Sequence, residues 1–177
     1  MIGSLVLAAA LLLAGAGLAK LVTPAPAVAM LRRGWPRLPA RGKQPALMRL
    51  AGAGEVAVAV WLVADGGRGP ATLLALAYLL FTVVALRLLR RGAGTSCGCF
   101  GRADSPIGRP HVIVDLAAVG VAVAAVIRPP GPVGGRFADG ALTGLVGLSQ
   151  AALLAYLAFL AMTALPALAA ERRRVAA

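Results

Sequence analysis

Runs of about 20 apolar residues recur along this chain, and about 20 residues of helix is the length needed to cross the hydrocarbon core of a bilayer. Inside lipid every backbone N–H and C=O must be satisfied within the segment, so such runs fold as helices or not at all. With 60% of its 177 residues hydrophobic, the chain has room for four or five spans and short connections, and none for a separate soluble domain. The fold class expected is an all-α membrane protein built as one compact bundle.

The first span is expected over Ile2 to Val22, closed by Thr23-Pro24-Ala25-Pro26, because proline disfavours helix in its predecessor. A cleaved signal peptide fits less well: no Lys or Arg precedes the run, and the run exceeds the usual signal core. A basic stretch from Met30 to Arg49, with Pro36, Pro39 and Pro45, reads as a surface loop. Further spans are expected over Ala46 to Ala64, Ala71 to Leu89, His111 to Ile127 and Ala141 to Leu165. Turn chemistry separates them at Asp65-Gly66-Gly67-Arg68-Gly69-Pro70 and Arg128-Pro129-Pro130-Gly131-Pro132.

Charge sets the orientation, since loops on the cytoplasmic side collect Lys and Arg near span ends. Five spans put the Met30–Arg49 stretch, the connection holding Arg90, Arg91, Arg102 and Arg109, and the tail Arg172-Arg173-Arg174 on one side. Only Arg68, Arg128 and Arg136 face them. The expectation is therefore a multi-pass protein of a bacterial-type inner membrane, with its N-terminus outside and the 92–110 connection cytoplasmic. The net charge of +12 invites a nucleic-acid reading, but the basic residues lie beside spans without interleaved aromatics. Contact with anionic membrane lipid explains them, and no nucleic-acid partner is expected.

Cys97 and Cys99 are the two cysteines of the chain and stand together in Thr95-Ser96-Cys97-Gly98-Cys99-Phe100-Gly101. Thiols one residue apart can reach disulfide separation, and Gly98 relieves the backbone of so small a ring. A strained disulfide suits exchange with a partner thiol better than permanent stapling. Metal capture is the competing chemistry: two thiolates and His111 supply three ligands, short of a closed zinc site, although Cu(I) accepts two thiolates. No haem is expected, because His111 is the single histidine.

Ionisable residues at membrane depth are costly and face a bundle interior or a wet cavity. Lys20 closing the first span, Arg87 near the end of the third, and His111 and Asp115 opening the fourth all fall toward the cysteine side. Such cations favour a nucleophilic thiolate, and Asp115 can pair with Arg87 or take a proton; snorkelling to head groups is the plainer role for Lys20 and Arg87. Glu55 sits mid-span between Gly52, Gly54 and further small residues, too deep to snorkel. It calls for a partner within the bundle, serving as a structural hydrogen bond or in proton handling. Gly15, Gly17 and Gly140-x-x-x-Gly144 read as helix-packing positions.

Ala14-Gly15-Ala16-Gly17-Leu18-Ala19-Lys20-Leu21, the glycine-flanked Glu55, and Cys97-Gly98-Cys99-Phe100-Gly101 together resemble the MauE/DoxX-like redox-associated membrane proteins, over about the first 127 residues. The resemblance implies a four-helix transmembrane bundle and a role in maturing a disulfide-containing client protein beside a thioredoxin-like partner. In MauE itself the client is the small subunit of methylamine dehydrogenase. Two features depart from the family pattern: the span from Ala141 to Leu165 extends beyond its core, and Val114 stands before Asp115 where the family has an arginine. The domain reading is accordingly a bundle over 1–127 carrying the cysteine loop at 92–110, followed by a linker, an extra span and a basic tail over 128–177.

Taken together, the residues predict a thiol–disulfide exchange protein in which Cys97 and Cys99 act as the catalytic pair. Gly98, Phe100 and Gly101 complete the motif, and Glu55, Asp115, Lys20, Arg87 and His111 support it. No cofactor motif is evident; an external loop would favour disulfide formation with a quinone as electron acceptor, a cytoplasmic loop would favour outward passage of reductant. A small transporter or soft-metal handler, with Glu55 on its pathway, is the alternative.

Overall fold

The computed structural model describes residues 2–35, 42–91, 107–138 and 140–175, and these are helical with short connections. The elements are α1 (Ile2–Val22), α2 (Pro24–Gly34), α3 (Gln44–Asp65), α4 (Arg68–Arg90), α5 (Arg109–Ile127), α6 (Gly135–Ala138) and α7 (Ala141–Val175). Among the described residues, α1, α3, α4, α5 and the 141–168 part of α7 are long and apolar enough to cross a membrane. The chain is a multi-pass, all-α membrane protein.

One stretch differs from the loop expected over Met30 to Arg49. Residues 24–34 form α2, and α3 begins at Gln44, two residues before the expected span. The prolines explain both. Pro24, Pro45 and Pro110 sit in the first turns of α2, α3 and α5, where a missing N–H costs nothing and the fixed φ suits the helix. The prolines after α1 thus end one helix and start the next. In the same way Pro166 lies inside α7 without ending it, since neighbouring helices accommodate a helix-breaking residue within a membrane bundle.

α1 is the central helix. It packs most extensively on α3, and α4 on α5, with α7 against α1 and α5 and a much slighter α3–α4 contact. The main core joins Val6, Ala9, Ala10 and Leu13 of α1 to Leu74 and Tyr78 of α4 and Ala118, Ala122 and Ala125 of α5. A second cluster seats Ala151, Ala155 and Met162 of α7 on Leu7, Ala8 and Leu12. The last helix is therefore integral to the bundle. Leucines such as Leu76, Leu80, Leu116 and Leu157 point outward, as lipid-facing surfaces of a span require.

The two ends of the bundle differ. At one end α3 turns into α4 through Gly66, held at φ 62, where a side chain would overlap the Gly131 carbonyl; the Val133 N–H donates to the Val63 carbonyl at 3.1 Å beside it. At the other end lie α2, the start of α3, the end of α4 and the start of α5. Arg91 and Ile107, which flank residues 92–106 in sequence, belong to this end.

Candidate functional site: a buried ion pair at a lateral cavity

The site begins at the crossing of α1 and α3. A Cβ placed on Gly17 would lie 2.6 Å from the Gly52 carbonyl oxygen, and one on Gly52 would lie 2.6 Å from the Gly17 carbonyl oxygen. Only hydrogen atoms on both Cα carbons permit this approach, the means by which small residues bring membrane helices together. The same crossing sets Gly17 against Glu55 and Gly52 against Lys20. Gly15, two residues away, faces open space, so of the first-span glycines expected to pack, Gly17 does. Gly144 receives the Phe137 ring of α6.

Across this contact Lys20 Nζ donates to Glu55 Oε1 at 2.8 Å and to Oε2 at 2.6 Å, a forked ion pair with side chains 6% and 12% exposed. Glu55 follows Gln44 by eleven residues, placing it about 16 Å along α3 at 1.5 Å per residue. Lys20 does not snorkel outward; it turns into the bundle, and Nζ also lies 4.9 Å from the centre of the Phe81 ring. The ammonium is thus held by a carboxylate and a ring face together, both of which attract cations. Glu55 has the intramembrane partner its depth calls for.

Tyr78 and Phe81 come from α4, their rings 5.7 Å apart and edge to face. The Tyr78 hydroxyl donates to the Ala9 carbonyl at 2.7 Å, tying α4 to α1. His111 and Asp115, both buried, lie one turn apart on α5. The Gly108 N–H donates to His111 Nδ1 at 3.3 Å, which assigns the remaining ring proton to Nε2. Arg87 turns elsewhere: Nε donates to the Gly34 carbonyl at 3.0 Å and the guanidinium lies 4.9 Å from the Trp35 ring centre, fastening α2 to α4.

These groups border one cavity of about 290 Å³. Lys20, Glu55, Tyr78, His111 and Asp115 form its inner wall, and Trp35, Phe81 and apolar side chains form the rest. Of the residues expected from sequence, Lys20, Glu55, His111 and Asp115 meet here, while Arg87 stands apart at Gly34 and Trp35. Cys97, Gly98, Cys99, Phe100 and Gly101 lie outside the described residues. Ile107, immediately beyond the undescribed stretch, lines the cavity.

Sequence reasoning passed over Tyr78, Phe81 and Trp35. A signal existed for one of them: Tyr78 is one of two tyrosines in the chain, and a polar-tipped aromatic inside an apolar run needs a partner for its O–H.

Among the described residues, five membrane-length helices around a buried ion pair define a polytopic helical-bundle membrane protein with a largely apolar cavity toward one end. Within that class its place is specific. The chain belongs to the MauE family: the family model described as methylamine utilisation protein MauE matches residues 1–128. That match spans the first helix, Glu55 and the Cys-Gly-Cys stretch, and α7 lies beyond it. No curated protein and no solved structure matches the chain.

Proposed function

We propose that this MauE-family membrane protein serves the maturation of a disulfide-containing client, exchanging thiols with a thioredoxin-like partner through Cys97 and Cys99. The observation that carries the reading is the position of Ile107. Residues 92–106 join Arg91 to Ile107, and Ile107 lines the cavity that holds Lys20, Glu55, His111 and Asp115. In this reading the cysteine pair works at that end of the bundle, where a nearby cation would favour thiolate.

The exchange balances without a further reagent. One thiolate of the reduced pair attacks a disulfide of the partner, a mixed disulfide forms and the partner's second sulfur leaves as thiolate. The remaining cysteine then attacks the mixed bond, releasing the partner as dithiol and leaving a Cys97–Cys99 disulfide. Two electrons pass to the partner, and the reverse sequence returns them. In this reading the cysteine end faces the cytoplasm, supported by Arg32, Arg33, Lys43, Arg49, Arg90, Arg91 and Arg109 at that end against Arg68 and Arg128 at the other.

Single replacements Cys97→Ser and Cys99→Ser test the chemistry in cells. One of them should trap a mixed disulfide with a thioredoxin-like protein, and both should abolish client maturation. Copper that co-purifies with the wild-type chain and is lost in both variants, without a trapped partner, would replace this reading with soft-metal handling. A membrane-impermeant maleimide tests the orientation: reduced cysteines should label only after permeabilisation, and labelling of intact cells would reverse it.

A further inference from the structure

Ser4 and Gln150 fix how the last helix stands against the first. The Ser4 hydroxyl donates to Gln150 Oε1 at 3.3 Å, and Ser4 is the third residue of α1 while Gln150 is the tenth of α7. Both helices start at the bundle end that carries the Gly66 turn, so α7 begins about 10 Å beyond α1 at 1.5 Å per residue. Its first turns overhang the start of α1, and the connection after α5 adds Arg128 and Pro130 beside them. The space between is a crevice of about 810 Å³, inside the range of ligand sites, ~300–1,000 Å³. It shares no lining residue with the cavity of Lys20 and Glu55.

The polar groups of this wall are hydrogen-bond donors. The Arg128 guanidinium is exposed and makes no hydrogen bond or ion pair among the described residues. Gln150 turns Oε1 to Ser4, which leaves its two Nε2 protons to give. Thr143 lines the crevice from the first turn of α7, where backbone N–H groups lack an intrahelical acceptor and negative charge is favoured. No Asp or Glu stands among the described residues of the wall. A cation would therefore meet Arg128 with no carboxylate to hold it, whereas a carboxylate or phosphate matches the guanidinium fork with two parallel hydrogen bonds. Ile2, Leu142 and Val146 add apolar surface to the same crevice, and Leu142 is 75% exposed. An apolar body attached to the anion would cover them.

We infer that this crevice binds an amphiphilic oxyanion, a carboxylate or phosphate ester borne on an apolar body, with Arg128 as its counter-charge and the Gln150 amide as a second donor. An acidic lipid reaching in from the bilayer and a soluble acid arriving from water share that chemistry. The inference goes beyond the thiol reading and needs neither Cys97 nor Cys99, since the crevice lies at the end of the bundle away from Arg91 and Ile107.

Native mass spectrometry of the full chain in a non-ionic detergent counts bound molecules directly. The chain is titrated with phosphatidylglycerol, decanoate and inorganic phosphate, and with decylammonium and phosphatidylcholine as cationic and net-neutral probes. A single saturable site is expected for phosphatidylglycerol or decanoate, at least about tenfold tighter than for decylammonium or phosphatidylcholine, the scale of one charge-assisted pair. Phosphatidylglycerol ahead of decanoate assigns the anion to the bilayer; the reverse order assigns it to a soluble acid. Arg128→Gln and, independently, Val146→Trp, which fills the crevice from an exposed position, should each weaken that binding about tenfold or more. Arg68→Gln removes the same charge at the same end of the bundle, outside the crevice, and should leave binding within about twofold of wild type, since exposed charges beyond a Debye length are screened. Equal losses in Arg128→Gln and Arg68→Gln, inorganic phosphate binding as tight as either amphiphile, decylammonium binding as tight as decanoate, unaltered binding in both crevice variants, or no saturable binding of an anion would overturn the proposal.

Discussion

Replacing Lys20 with methionine tests the central ion pair. Methionine keeps the length and apolar body of the lysine stem and removes the ammonium, so the change isolates the charge. Glu55 would lose both hydrogen bonds, at 2.8 and 2.6 Å, while its carboxylate stays only 12% exposed. Stranding one member of a buried pair costs about 3–5 kcal/mol in soluble proteins, and a lone charge at the centre of a transmembrane helix costs about 2.5–3.5 kcal/mol on insertion scales. Lys20→Met should therefore destabilise the bundle by about 3 kcal/mol, on the order of a hundredfold in the unfolding constant at 1.4 kcal/mol per tenfold. Glu55→Met should cost a similar amount by stranding the ammonium. The double variant carries no uncompensated charge, and apolar replacement of a buried pair is often neutral. It should lose about 1 kcal/mol or less, a coupling of several kcal/mol in the double-mutant cycle. Reversible unfolding in mixed micelles, followed by helix circular dichroism, reads these values. Additive losses in the double variant, or a Lys20→Met loss below about 1 kcal/mol, would refute the reasoning and return Lys20 to a head-group role.

Other substitutions probe the surroundings of that pair. Gly17→Ala should destabilise by about 1–3 kcal/mol through overpacking, because its Cβ would meet the Gly52 carbonyl at 2.6 Å. Gly15→Ala, facing open space, should be neutral or stabilising by about 0.5–1 kcal/mol; the same micelle titration separates the two. Tyr78→Phe removes the bond to Ala9 and should cost about 0.6–1.7 kcal/mol, the range of interhelical hydrogen bonds in a membrane. A thermal melt giving a larger loss would mean that the hydroxyl holds more than this one carbonyl. Gly66→Ala places a side chain at φ 62 and against Gly131, and should expose the 63–67 turn to proteolysis that spares the wild-type chain.

Much of the fold was readable from residue pattern, since apolar runs of membrane length admit one backbone solution. The helix boundaries fell within a few residues of those expected, except around proline. Pro24 looks the same in sequence whether it stops α1 or starts α2, and here it does both. The family was legible from three short segments, as the match over residues 1–128 bears out.

The site was legible in part. An acid at Glu55, mid-span, by itself required an interior partner, because neither water nor head groups reach that depth. Sequence spacing could not choose between Lys20 and Arg87, which both close a span on the same side. The choice was made where α1 crosses α3: the Gly17–Gly52 approach brings Lys20 within 2.6 Å of Glu55, while α2 draws Arg87 to Gly34 and Trp35. Local pattern fixes which segments must be helices and which residues cannot stand alone in lipid. Which helix answers a buried charge depends on how closely two backbones can come together, and that is a property of the assembled bundle.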